Sequence, residues 1–108
     1  MVLQIGPREL ALRLANDRPV FLLDVRQPQE HEVAKLPNSC LIPLHELSTR
    51  AKEIRPPGDA LLIVYCHHGI RSLSGAAILE QYGFTNVVSL AGGIDAWSLY
   101  IDPQIPRY

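Results

Sequence analysis

Residues 61–65, Leu-Leu-Ile-Val-Tyr, are an unbroken apolar run of strand length, followed at once by Cys66-His67-His68-Gly69-Ile70-Arg71-Ser72. A strand with no polar interruption is buried on both faces, the situation of a parallel strand covered by helices. The residues from Leu73 to Tyr82 have helical character, so the seven between are predicted to form a tight loop at a helix N-terminus. Reactive groups of open α/β folds gather at that edge. A loop curled around the thiol would aim its own N–H groups, and those of the first helical turn, at the Cys66 sulfur and stabilise a thiolate. Cys66 is therefore the candidate nucleophile. A free cysteine is more often a small buried hydrophobe, but the glycine-containing turn between strand and helix favours the functional reading.

The remainder of the chain repeats the alternation. Gly6-Pro7 opens a helix to Ala15 with Leu10, Ala11, Leu14 and Ala15 on one face, and Asn16-Asp17 ends it. Val20–Leu23 is an apolar strand closing at Asp24-Val25-Arg26, where polar side chains emerge, and Pro28 opens a short acidic helical turn over residues 29–32. Leu36–Ser39 reads as a turn and residues 40–42 as a short strand. Pro43 starts a helix in which Leu44, Leu47, Ala51 and Ile54 share a face, stopped by Pro56-Pro57-Gly58-Asp59. Gly83 is placed as a left-handed C-cap with Phe84 folding back. Residues 86–90 form the last strand, Ala91-Gly92-Gly93 a turn, residues 94–98 a short helix, and 101–108 an irregular tail over the surface. Gly92-Gly93 lacks the spacing of a nucleotide fingerprint. The class is α/β, a mainly parallel sheet with helices on both faces.

With 108 residues the chain has material for one hydrophobic core. A net charge of −1, from 10 basic and 11 acidic residues, supplies no drive toward nucleic acid or anionic membrane. The start lacks a charged and then apolar leader, and every apolar run is far shorter than the roughly 20 residues of a membrane helix. A cytoplasmic monomer that binds neither nucleic acid nor membrane is expected. Cys40 and Cys66 lie too far apart for a C-x-x-C pair and fit reduced thiols. Cys40, in an apolar strand, is assigned to core packing.

Three stretches resemble the rhodanese family of sulfurtransferases. Leu23-Asp24-Val25-Arg26 with Pro28 and Glu30, then Leu36-Pro37 and Ile42-Pro43-Leu44, is similar to the family's amino-terminal signature. Cys66-x-x-Gly69-x-Arg71-Ser72 resembles its active-site loop, and Leu90-x-Gly92-Gly93-Ile94-x-Ala96-Trp97 its carboxy-terminal signature. A chance C-x-x-G-x-R-S match has a probability on the order of 10⁻³ or less at average residue usage. Asn38-Ser39 replaces the usual Gly-Ala, and His31 stands where an aromatic is common. The resemblance implies a rhodanese-like three-layer fold with a five-stranded, mostly parallel sheet, a single rhodanese-like domain over residues 1–108, and a cysteine cycling through a persulfide.

Around Cys66, the loop residues His67, His68, Gly69, Ile70, Arg71 and Ser72 are expected to form the substrate cradle. Gly69 supplies backbone curvature. Ser72 is expected to be the helix N-cap and also to reach the sulfur. Arg71 either holds an anionic donor or pairs with a carboxylate such as Asp24. Asp24 and Arg26 are expected to form a supporting shell, through a mutual or a cross-loop ion pair and not through catalytic duty. His67 and His68, adjacent in a tight loop, are expected to point apart and shape the pocket rim, so no zinc site is assigned, and His31 and His45 are assigned to solvated surface.

The expected activity is transfer of a sulfane sulfur from a small-molecule donor such as thiosulfate, through a Cys66 persulfide, to cyanide, a thiol or a protein acceptor. No metal or organic cofactor is needed. Two other classes stay open: a cysteine-dependent phosphatase or arsenate reductase, and a non-catalytic sulfur-carrier or partner-binding module. Loop length separates the first of these. Four residues lie between Cys66 and Arg71, whereas cysteine phosphatases carry five, and the smaller ring leaves too little room for a tetrahedral phosphoryl group.

Overall fold

The computed structural model describes residues 2–108. Five strands, β1 (Leu3–Ile5), β2 (Val20–Asp24), β3 (Cys40–Leu41), β4 (Leu61–Tyr65) and β5 (Val87–Leu90), form one sheet in the order β1-β5-β4-β2-β3. All four pairings are parallel. The helices are α1 (Pro7–Ala15), α2 (Pro28–Val33), α3 (Leu47–Arg50), α4 (Arg71–Gln81) and α5 (Gly93–Tyr100). The expected α/β class is present, as a parallel sheet with helices on both faces.

Because side chains alternate along a strand, β4 feeds two cores. Leu61, Ile63 and Tyr65 join Leu10, Leu22, Leu90, Ile94 and Trp97 on the face covered by α1 and α5. Leu62 and Val64 join Leu23, Leu47, Ala76 and Leu79 on the face covered by α3 and α4, and Cys66, next in phase, belongs to this second cluster. The alternation therefore directs the thiol toward α4 before the loop begins. Residues as completely buried as Ile63, Val64 and Leu79 each contribute about 1.5–3 kcal/mol by leaving water. Tyr65 pairs with Asp24 in the β2–β4 register, so the segment after β2 and the Cys66 loop leave the same edge side by side.

Several local expectations need revision. The sequence reading contains no strand before Gly6, yet β1 pairs with β5 at the sheet's edge. The helix expected from Pro43 to Ile54 is instead a 3-10 turn at Leu44–Glu46, the single turn of α3, and another 3-10 turn at Ala51–Glu53. Leu47, Ala51 and Ile54 are nevertheless buried, so the apolar spacing is satisfied by a helical path less regular than an α-helix. On α1 only Leu10 is buried and Leu14 is exposed. Cys40 is exposed and not core, because β3 is a two-residue edge strand.

The end of α4 follows the expected chemistry. Gly83 adopts φ 94°, with its N–H donating to Glu80 O and that of Phe84 to Leu79 O, the two bonds of a Schellman motif. Asn38, which stands where the family resemblance leads one to expect glycine, has φ 64°. Asparagine is among the few residues that tolerate this region, which is why the departure leaves the turn intact.

Candidate functional site

The loop after β4 closes around the Cys66 sulfur. Gly69 N–H donates to Sγ at 3.2 Å and Ser72 N–H at 3.3 Å, while the thiol donates to Ser72 Oγ at 3.5 Å. Behind them Ser72 Oγ lies 2.7 Å from the hydroxyl of Ser89 on β5, and both serines are fully buried. Either serine hydroxyl can be the donor of that bond, so the pair has the capacity to present an O–H to an ionised sulfur. Helix α4 begins at Arg71 with Ile70 as its N-cap, so Ser72 is not the N-cap. It occupies the first turn, where its N–H has no helical partner and is free to meet the sulfur.

Gly69 has φ 95°, and a Cβ there would lie 2.9 Å from Gly92 N, against the turn that enters α5. From that turn the first N–H groups of α5 hold the loop's carbonyls: Ile94 N–H donates to Cys66 O at 2.9 Å and Asp95 N–H to His67 O at 3.1 Å. A side chain at Gly93 would place its Cβ 2.4 Å from each of these carbonyl oxygens. The Gly92-Gly93 pair, set aside in the sequence as no nucleotide fingerprint, is thus the brace of the cysteine loop.

Arg71 is held by a carboxylate. Its Nη1 and Nη2 donate to Glu30 Oε1 and Oε2 at 2.7 and 3.0 Å, so its carboxylate partner is Glu30 on α2 and not Asp24. Glu30 also accepts the Gln27 N–H at 3.0 Å and the Tyr108 hydroxyl at 2.8 Å. The Arg71 hydrogen bonds, with the smaller help of the others, outweigh desolvation and hold the Glu30 carboxyl down at about 2. The Arg71 guanidinium is raised correspondingly, first by its bonds to Glu30.

Asp24 and Arg26 do form the expected ion pair, fully buried, with Nε–Oδ1 at 2.9 Å and Nη2–Oδ2 at 2.7 Å. Arg26 Nη1 donates to the Tyr108 hydroxyl at 2.6 Å, and the guanidinium lies over the Tyr65 ring at 5.4 Å. Burial alone would lower the guanidinium, but its bonds to Asp24 and Tyr108 outweigh that and leave it raised. A buried charge persists only with such partners. His31, assigned to solvent, is instead 2.8 Å from Asp24 Oδ2 through Nδ1. Tyr108 therefore links two ion pairs into one network, Arg71–Glu30–Tyr108–Arg26–Asp24–His31. Burial first, and the Glu30 acceptor after it, push the Tyr108 phenol up to about 12.

The two loop histidines do not diverge. Their ring centroids are 3.9 Å apart, and His67 stacks on Tyr108 at 3.8 Å and 8°. Burial, then the neighbouring His68, lowers the His67 imidazole below its ordinary value. His68 is largely exposed near Asp95, and Ile70 projects outward, 72% exposed. Among the described residues no three His, Cys, Asp or Glu side chains gather as metal ligands.

The structure thus gathers Cys66, Gly69 and Ser72 at the sulfur, stacks His67 against both His68 and Tyr108, and joins Arg71 to the ionic network with Asp24 and Arg26. Ser89, Glu30, Tyr108 and Gly93 are the participants that sequence reasoning missed. Glu30 carried a signal, as the third residue after Gln27 at a helix start, but its partner 41 residues away did not.

Comparison with known proteins bears on this arrangement. The Rhodanese-like domain family matches residues 6–100. A protein named Sulfurtransferase from Allochromatium vinosum is 38% identical over 98 residues, covering 91% of this chain and 90% of its own. The probable adenylyltransferase/sulfurtransferase MoeZ of Mycobacterium tuberculosis is 34% identical over 104 residues, and this chain spans only 26% of its length. The crystal structure of a rhodanese-related protein from Thermoplasma volcanium superposes with a TM-score of 0.82 at 30% identity, covering 98% of this chain and 99% of that one. The α/β sheet, the glycine-braced cysteine loop and these matches agree, and the chain belongs to the rhodanese-like domain family.

Proposed function

We propose that this domain is a sulfurtransferase in which Cys66 carries sulfane sulfur as a persulfide. The observation that carries the reading is the cradle itself: a thiol 1% exposed, receiving two backbone N–H groups and facing a buried hydroxyl pair. With thiosulfate as donor, the Cys66 thiolate attacks the outer sulfur, the S–S bond of the donor breaks, and sulfite leaves with the electron pair. The persulfide anion that results inherits the amides of Gly69 and Ser72. A second nucleophile, cyanide or a thiol, then takes the outer sulfur and returns the thiolate, a two-step exchange with a covalent intermediate.

The name of the Allochromatium relative supports this reading. MoeZ is named for both adenylyl and sulfur transfer, which supports sulfur transfer as the reaction class. The phosphatase reading is disfavoured by the short loop: four residues separate Cys66 from Arg71, and that arginine is engaged by a carboxylate instead of being free for phosphoryl oxygens.

Intact mass spectrometry after incubation with thiosulfate tests the proposal. One added sulfur, removed by dithiothreitol and absent in Cys66→Ser, is expected, with negligible hydrolysis of p-nitrophenyl phosphate. An adduct on Cys40, or aryl phosphate hydrolysis through Cys66 without sulfur acceptance, overturns it.

A further inference from the structure

Three guanidiniums surround the loop, and each is matched by a carboxylate: Arg71 by Glu30, Arg26 by Asp24, Arg107 by Asp95. The pair nearest the cradle is Arg71–Glu30. Arg71 is the residue before Ser72, whose N–H meets the sulfur, and Glu30 is fastened to it by two bonds and to Tyr108 and the Gln27 amide by two more. The Glu30 carboxylate is only 19% exposed and that of Asp24 is fully buried, so neither counter-charge is dispersed by solvent. His67 is driven toward its neutral form by burial. What the loop offers an incoming donor is therefore a set of neutral dipoles beside an ion pair of no net charge.

A doubly charged donor approaching a thiolate needs a compensating cation more than a neutral one does. The only guanidinium at the start of α4 is screened from giving that help by a carboxylate held beside it. We infer that Glu30 is a specificity-determining residue, which discriminates against highly anionic sulfur donors by cancelling the charge of Arg71 at the mouth of the Cys66 cradle. The inference rests on the sulfur-transfer reading of Cys66 and adds to it which donors are disfavoured and by which residue. In the thiosulfate step the thiolate and dianion enter with three negative charges, and persulfide anion and sulfite leave with three. The handicap is thus one of approach and affects the entering dianion.

The test compares two rate constants for reaction at Cys66, both followed by intact mass: sulfur loading from thiosulfate, and alkylation by uncharged iodoacetamide. Both are taken at the alkaline plateau of the alkylation profile, where the thiol is fully ionised. Glu30→Gln is expected to raise the ratio of thiosulfate to iodoacetamide rates roughly tenfold, the effect of unmasking one charge toward a dianion in a partly shielded site. Glu30→Asp keeps the charge and is expected to hold the ratio within about threefold of the parent. A reading on the unaltered protein does not depend on how the variants fold. Raising ionic strength from about 0.05 to about 0.5 M is expected to leave thiosulfate loading unchanged or faster, since repulsion between like charges is what salt then screens. An unchanged ratio in folded Glu30→Gln, or thiosulfate loading that falls steeply with salt in the parent protein, overturns the inference. Failure of every sulfane donor to load Cys66 is a different result, and defeats the sulfur-transfer reading itself.

Discussion

Two helices begin against the Cys66 loop, and they spend their first N–H groups in opposite ways. At α4 the Ser72 N–H is directed at the sulfur, and its N-cap Ile70 is in the ordinary right-handed region. At α5 the N–H groups of Ile94 and Asp95 are consumed by the carbonyls of Cys66 and His67, and its N-cap Gly92 is left-handed, at φ 75°. Every helix start leaves donors without intrahelical partners. Here one start keeps its donors for the reacting atom, and the other uses them to hold the backbone that carries that atom. An amide cradle is useful only if its geometry is fixed before charge develops, so the second helix is a condition for the first.

Breaking the α5 brace is expected to have the largest effect. In Gly93→Ala the new Cβ meets the Cys66 and His67 carbonyls at 2.4 Å in a backbone at φ 64°, and a stability loss of about 3 kcal/mol or more is expected with loss of sulfur loading. Urea denaturation measures it. A variant within about 1 kcal/mol of the parent would show that the brace is dispensable.

The α4 side is probed by the hydroxyls. Ser72→Ala keeps the amide that faces the sulfur and removes Oγ, and sulfur loading is expected to slow about tenfold, the cost of one hydrogen bond to a charged group. Ser89→Ala, acting only through Ser72, is expected to slow it about threefold. Equal effects of the two would mean that the Ser72 hydroxyl helps the sulfur only when Ser89 donates to it.

A smaller effect is expected where α4 meets the ionic network. The folded Glu30 carboxyl is held at about 2 against 4.5 ordinarily, chiefly by Arg71. A depressed carboxyl contributes stability that is complete above its unfolded value and is lost as pH falls through the folded one. The stability gap between the parent and Glu30→Gln should therefore be flat above pH about 5, on the order of 1–2 kcal/mol after solvent screening, and close between about 4.5 and 2. Denaturation across that range checks it, and a gap that widens on acidification contradicts the assignment. The smallest effect is expected of Cys40→Ala on the exposed edge strand: loading and stability each unchanged within about 0.5 kcal/mol, by the same two assays.

What the sequence determined by itself is the path of the backbone through the site. The apolar run of β4, the phase that turns Cys66 toward α4, the glycine that ends α4 and the turn before α5 all rest on periodicity and turn chemistry, which act over a few residues. Where local rules were weak the reading slipped: β1 is three residues long, Cys40 on the two-residue β3 is exposed and not core, and the segment from Leu44 to Glu53 satisfies an apolar spacing without being one α-helix. Tertiary structure alone decided the partners. Arg71 finds Glu30 across 41 residues and Tyr108 finds Glu30 across 78, because the parallel order β5-β4-β2 brings the ends of β2 and β4 to one edge and the last residues fold back over it. Every arginine and carboxylate in a sequence is an equally plausible pair until the sheet order is known, since charge attracts at a distance and carries no register of its own.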